Sequence, residues 1–236
     1  MDIVKCGKCG TTLSDGDPQN RLKCPNCGSV QRFYSAELAD GVEFTDDPPL
    51  SPDERRRRVV LLCCSFMRNL AFHRDGRDTE VQRKLLEPRH PHGAFWREVH
   101  GNFFDRSVLD WCKLFADGKG KHHWRRAVES PDRFEMDLYA ALDITVGEFA
   151  ELVERVRCYR DKFVAHLDEE REMFVPALEK AKSAIVFLHE RLVQQAGGSG
   201  DWRGLPTSPE ELDHGFAQAI REARIVYAEA TDVTRD

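Results

Sequence analysis

The sequence predicts a mainly α-helical protein, a helical bundle preceded by a small four-cysteine zinc ribbon. Three observations carry this expectation. Four of the eight cysteines form two C-x2-C pairs near the N-terminus. Beyond residue 50 the apolar residues recur at helical spacing rather than alternating. The expected helices there open on recognisable caps, and no run in that region reads as a strand.

The chain has 236 residues, enough for one mid-sized domain and a small one. Its formal net charge of −6 argues against a general polyanion binder, so any contact with nucleic acid has to come from local basic patches. No apolar run approaches the roughly 20 residues that span a bilayer. The opening MDIVKCGKCG has no apolar signal core. A cytoplasmic protein without membrane contact is expected, and disulfides are not.

Residues 1–34 are expected to form the ribbon. Fourteen residues separate the inner cysteines of the two pairs. That spacing matches a closed tetrahedral site, so Cys6, Cys9, Cys24 and Cys27 are assigned as ligands of a structural zinc ion; a redox dithiol or an iron site is the alternative. Glycine after each pair lets the backbone turn its amides toward the thiolates. Four thiolates leave no open coordination position, which argues against a catalytic metal. In so short a segment the metal supplies much of the folding free energy. Lys5, Lys8, Arg21, Lys23 and Arg32 would rim the ribbon, suiting either nucleic acid or a structural, protein-docking knuckle. The other cysteines, Cys63, Cys64, Cys112 and Cys158, read as buried small hydrophobes.

Residues 35–50, with Asp40-Gly41 and Pro48-Pro49, read as a linker. The bundle is expected over 51–196. Ser51-Pro52-Asp53-Glu54 combines an N-cap, a first-turn proline and a capping-box acid. The helix it opens should run to about Phe72 and bury Val59, Val60, Leu61, Leu62, Phe66 and Leu70. Its run Arg55 to Arg58 reads as a solvated turn or as an RNA-backbone contact. His73, His90 and His92 read as surface histidines.

From Ala94 a long amphipathic helix carries Phe95, Trp96, Val99, Phe103, Val108, Trp111, Leu114 and Phe115. It should stop at Asp117-Gly118, with the glycine as C-cap. Then comes the most basic and aromatic stretch, Lys121, His122, His123, Trp124, Arg125 and Arg126. Either Trp124 stacks on single-stranded RNA among these cations, or it packs inward and the charges are solvated.

Ser130-Pro131 opens a short helix with Phe134, Leu138 and Leu142 on one side. Thr145 and Glu148 make a second capping box, starting a helix from Val146 to Leu167. The next helix ends near Gln195 with the stripe Phe174, Leu178, Ala181, Ile185, Leu188 and Leu192. Residues 197–207 read as a flexible linker through Gly197-Gly198-Ser199-Gly200. Residues 208–236 form a C-terminal helix with Phe216, Ile220, Ile225 and Val226 as its apolar side. No phosphate-binding glycine loop, serine nucleophile elbow or acidic magnesium cluster stands out.

The helix from Val146 to Leu167 is the one that carries chemistry. At about 100° per residue, Val146, Phe149, Val153, Val156, Phe163, Val164 and Leu167 share one stripe. Arg160 falls in the middle of it, where an unpaired guanidinium is costly. His166 falls at the rim. On one straight helix the two are about 240° and about 9 Å apart, so a joint site needs more than one helix. Two-fold pairing with a second copy is the simplest way. Alternatively, Arg160 pairs internally with Asp105, Asp110 or Glu154, and His166 caps its own helix.

The run Arg160-Asp161-Lys162-Phe163-Val164-Ala165-His166, ending in Leu167-Asp168, resembles the HEPN signature: an arginine, a polar residue after it, and a histidine a few residues on. The long helices before it resemble the abortive-infection branch of that superfamily. The resemblance spans about Ser51 to Gln195 and is anchored on Arg160 to Asp168. It implies a metal-independent endoribonuclease that acts as a homodimer on RNA. It further implies a toxin or antiphage-defence role, with an antitoxin or other defence-system protein as partner. By position Arg160 and His166 are the motif pair and Asp161 the polar residue. The residue types suit this chemistry. Imidazole titrates near neutral pH, and a permanently charged guanidinium can hold a phosphate. Lys162 and the 119–126 stretch would guide the RNA backbone. A non-catalytic RNA-binding or protein-interaction module is the alternative.

Overall fold

A computed structural model describes residues 3–6, 8–9, 11–13, 23–29, 32–35, 50–76, 84–87, 89–165, 174–197 and 202–232. The chain divides into two compact units, Met1–Pro49 and Leu50–Asp236.

In the first unit three short strands form an antiparallel sheet in the order β2-β1-β3: β1 Ile3–Cys6, β2 Thr12–Leu13 and β3 Arg32–Ser35. Cys6 pairs with Arg32 at the end of β1, which sets the first knuckle against the sheet. Residues 36–49, most of the expected linker, lie outside the described residues.

Among its described residues the regular elements of the second unit are all helical, as expected. Its helices are α1 Pro52–Gly76, α2 Gly93–Trp111, α3 Pro131–Leu142, α4 Val146–Tyr159, α5 Glu179–Ala196 and α6 Pro209–Asp232. Both expected capping boxes form. Glu54 Oε2 accepts from the Ser51 amide at 2.9 Å, and Ser51 Oγ accepts from the Glu54 amide at 3.2 Å. Thr145 and Glu148 do the same at the start of α4. None of the described helices is long and apolar enough to cross a membrane.

α1 is the central element. It runs antiparallel to α2: His73 stacks on His100 at 4.5 Å near one end, and Ser65 Oγ donates to Asp110 Oδ2 at 2.6 Å further along. His73 is therefore buried, correcting the surface reading. The core gathers Phe66, Leu70, Trp111, Leu138, Ile185, Leu188 and Leu192, all at most 2% exposed. Each such side chain contributes roughly 1.5–3 kcal/mol by leaving water.

Several expected faces shift. α6 buries Leu212, Phe216, Ala219, Ala223 and Tyr227, while Ile225 and Val226 are exposed. The small alanines let α6 approach α1 closely, and Tyr227 donates to the Phe72 carbonyl at 3.2 Å. Leu61, Phe95, Val146 and Phe174, expected inside, are exposed as well. Each stands at the edge of its stripe or beyond the end of its helix.

The linker expected at 197–207 is corrected where it is described. Trp202 and Leu205 pack against the core, and the Pro206 carbonyl oxygen lies 3.1 Å from Nε2 of the buried His189. Two apolar side chains and a buried partner hold this segment down. Gly197 ends α5 in the left-handed conformation, at φ 55°. Gly118 has no such conformation, because the end of α2 is built differently.

Candidate functional site

Two helices widen, and they widen where they meet. Past Trp111, α2 continues as a π-helical segment, Cys112–Ala116, closed by the Asp117 amide donating to the Cys112 carbonyl at 2.8 Å. Past Tyr159, α4 continues as a second π-helical segment, Arg160–Ala165. A π turn takes one residue more than an α turn and is frequent at functional sites. The regular helix expected to Leu167 is thus corrected, and with it the premise of 100° per residue beyond Tyr159.

Arg160 sits at the junction. Its Nη1 donates to Asp117 Oδ1 at 2.5 Å, and its Nε donates to Asp161 Oδ1 at 2.7 Å. The side chain is 17% exposed. Burial works against its charge, but the bonds it donates to Asp161 and Asp117 outweigh that and raise its pKa. One cation faces two carboxylates.

The acids expected beside Arg160 are engaged elsewhere. Asp105 accepts from the Tyr159 hydroxyl at 2.8 Å. Burial raises the Asp105 pKa, and the bond from Tyr159 opposes the rise. Asp110 is fully buried, with Ser65 at 2.6 Å and Arg106 Nε at 3.2 Å. Glu154 pairs with Arg157 at 2.7 Å. Asp117 is the partner that sequence reasoning missed. Its place before Gly118 reads as a helix stop, and nothing local marks it as an ion-pair residue. His166 and Asp168 lie outside the described residues.

Beside this junction runs a largely apolar groove of about 640 Å³, lined by Cys158, Tyr159, Lys162, Phe163 and residues 174–177 among others. Lys162 is half-buried there. Cys158 is exposed, correcting the expectation of a buried thiol, whereas Cys63 and Cys112 are fully buried as expected.

The basic stretch folds differently from a stacking platform. A 3-10 turn, Trp124–Arg126, lays the indole against Phe134 at 4.7 Å, and Trp124 is only 3% exposed. Its ring is thus closed to a base, which corrects the stacking expectation. His123 is buried too, with Nε2 3.3 Å from the Phe115 carbonyl oxygen. Arg125 pairs with Glu135, and Arg126 donates to the Lys119 carbonyl. Lys121, Arg125 and Arg126 are exposed, and His122 is half-buried.

In the first unit the four cysteines converge: one sulfur from each of Cys6, Cys9, Cys24 and Cys27 lies within 4.8 Å of all the others. Cys6 and Cys27 are 3.5 Å apart, and Cys9 and Cys24 are 3.7 Å apart. Ligands about 2.3 Å from one tetrahedral ion would stand about 3.8 Å from each other. The four thiols therefore could bind a metal ion. The knuckles repeat one geometry: the Cys6 amide donates to the Thr11 carbonyl at 2.8 Å, and the Cys24 amide donates to the Ser29 carbonyl at 2.9 Å. Gly28 takes φ 71°, as a glycine after the pair permits. Backbone donors at Lys8 and Cys9 lower the Cys6 pKa, and the Thr11 hydroxyl and amide lower that of Cys9 to about 6. These donors favour the thiolates that a metal needs. Lys8 and Lys23 are exposed; Arg21 lies outside the described residues.

Comparison with protein-family models, curated proteins and solved structures found no match.

Proposed function

We propose that this protein is a metal-independent endoribonuclease of HEPN type, acting as a homodimer through a composite site of Arg160 and His166. The observation that carries the reading is Arg160, the arginine of the motif, set on a π turn and braced by Asp117 and Asp161. A guanidinium has five N–H donors. Two are used on the carboxylates, and the others can be offered to a phosphate. His166 takes the proton of an RNA 2′-hydroxyl, whose oxygen then closes on the adjacent phosphorus. The bond to the 5′ oxygen breaks, and that oxygen takes a proton from an imidazolium. The products are a 2′,3′-cyclic phosphate and a 5′-hydroxyl. Arg160 stabilises the charge that develops on phosphorus. Asp161 holds the guanidinium in place.

We assign the ion of the four cysteines as a structural zinc, because four thiolates suit zinc and close its shell. The resemblance adds a toxin or antiphage role in the cytoplasm and an antitoxin-like partner.

The test is RNA cleavage by zinc-loaded protein without added divalent ions, with Arg160→Ala and His166→Ala beside the wild type. Loss of cleavage in both, with dimer and helix content kept, supports the proposal. Equal activity in His166→Ala overturns the role of that residue, and a monomer in light scattering at micromolar concentration counts against the composite site. A second reading, a non-catalytic RNA-binding or protein-interaction module, is favoured by the same brace. Two carboxylates on one guanidinium also make a structural joint. RNA binding without cleavage would select it.

A further inference from the structure

The arginines that open α1 and the loop beyond the first π segment share one face of the bundle. The antiparallel packing of α1 and α2 brings them there. Arg58 stands seven residues before Ser65, so it lies on the same side of α1, about 10.5 Å beyond the Ser65–Asp110 hydrogen bond. At that level α2 has given way to the π segment and the loop after it, which carry Lys113 and Lys121.

His122 reports the gathering. Burial and then Arg58, Lys113, Lys121 and Arg55 each lower its pKa. Its Nδ1 is buried and has no hydrogen-bond partner among the described residues. Arg56 and Arg57 are engaged elsewhere, Arg56 with Asp53 at 2.7 Å and Arg57 with the Arg203 carbonyl at 3.4 Å. The acids nearby include Asp53 and Glu129, 2.7 Å and 3.6 Å from Arg56, Glu54, which feels Arg58, and Asp110, 3.7 Å from Lys113 and already bonded to Ser65 and Arg106. The patch keeps an excess of positive charge in a chain whose net charge is −6. Arg55 also stands in the first turn of α1, near the positive end of its dipole, where cations are unfavourable and a bound anion would be favoured.

We propose that Arg55, Arg58, Lys113 and Lys121, gathered around His122, form a docking surface for the sugar-phosphate backbone of RNA, separate from the Arg160 junction. The cations come from three elements, a helix, a π segment and a loop, around one imidazole. Four positive charges there complement the phosphates of the RNA proposed above. With the Trp124 ring closed off, contact is to the backbone and independent of sequence. The inference takes RNA from the function proposed above but does not need cleavage.

The test is fluorescence anisotropy of the full-length, zinc-loaded protein with a labelled single-stranded RNA across a salt series. Arg160→Ala serves as parent, to keep the RNA intact. Four backbone contacts should give a slope of log affinity on log salt of about −3. The Arg55→Gln/Arg58→Gln/Lys113→Gln/Lys121→Gln variant of this parent should bind at least tenfold more weakly, with a slope nearer zero. The single change Lys121→Glu, on an exposed loop, should weaken binding several-fold and covers the case of a quadruple variant that does not fold. Binding by the quadruple variant within twofold of its parent overturns the proposal. So does failure of both wild type and parent to bind RNA, including the case where the four residues instead govern sedimentation with phosphatidylserine vesicles. Loss of binding in Arg160→Ala alone also overturns it, by placing the RNA at the junction. Patch-dependent binding in a wild type that cuts no RNA upholds the surface and rejects the nuclease.

Discussion

Nη1 of Arg160 and Oδ1 of Asp117 stand 2.5 Å apart, and each belongs to, or directly follows, a π-helical segment. The bond thus joins the widened ends of α2 and α4. Asp117 is 36% exposed, so solvent weakens the pair relative to a buried one. Arg160→Ala should cost about 1–2 kcal/mol in urea unfolding, toward the low end of charged hydrogen bonds because solvent screens the pair. A double-mutant cycle with Asp117→Ala should return a coupling of roughly 0.5–1.5 kcal/mol. A coupling near zero would mean that the two π segments are not tied through this pair.

Chelation should separate the two units. The four cysteines belong to Met1–Pro49, while the helices lie in Leu50–Asp236. Removing a thiolate-bound metal from so small a unit unfolds it. Four further thiols should become reactive toward a disulfide reagent, while helical circular dichroism stays nearly unchanged. A collapse of the helical signal on chelation would contradict independent units.

Stability should fall as pH drops below the ordinary imidazole range. His189 is fully buried, and burial lowers its pKa. The unfolded chain takes up this proton near pH ~6.5, the folded chain only at lower pH. Between the two the unfolded state binds more protons, so stability is full above pH ~6.5 and declines below it. Thermal melts from pH 7.5 to 5.5 should show the decline, and His189→Gln should reduce it. An identical pH profile for the variant would exclude His189 as a source.

Thiol labelling should rank the cysteines of the helical unit. Cys158 is exposed, whereas burial pushes the thiol pKa of Cys64 up to about 11 and that of Cys112 up to about 12. Burial pushes Cys63 up as well. In zinc-loaded protein, mass spectrometry after brief maleimide treatment should find Cys158 modified first, with Cys63 and Cys112 protected until unfolding. Early modification of Cys63 would contradict the packing of α1.

Local signals made most of the fold legible. Ser51 with Glu54 and Thr145 with Glu148 mark helix starts because both members of each box lie within one turn. The cysteine pairs are legible for the same reason. Part of the buried face of α6 was not: Phe216 was legible, but the small Ala219 and Ala223 are buried while the larger Ile225 and Val226 stay exposed. Asp117 was not legible as the partner of Arg160, since that choice depends on which helix ends meet. Nor were the π segments, which leave no mark in a 3.6-residue pattern. The sequence pointed to Arg160; its surroundings came from tertiary contacts.

The two π segments also bear on how this chain can change. Each accommodates one surplus residue, so deleting a single codon between Arg160 and Ala165 could restore an ordinary helical turn without breaking α4. Side chains beyond the deletion would keep close to their present faces, because the wide turn had already absorbed the surplus residue, while those inside the turn would rotate by up to about 100°. Arg160 would remain in the protein, but its spacing to the residues inside the turn would be lost. The junction is thus more exposed to a one-residue deletion than to most substitutions. Natural length variation at this point would mark where the site has been gained or discarded.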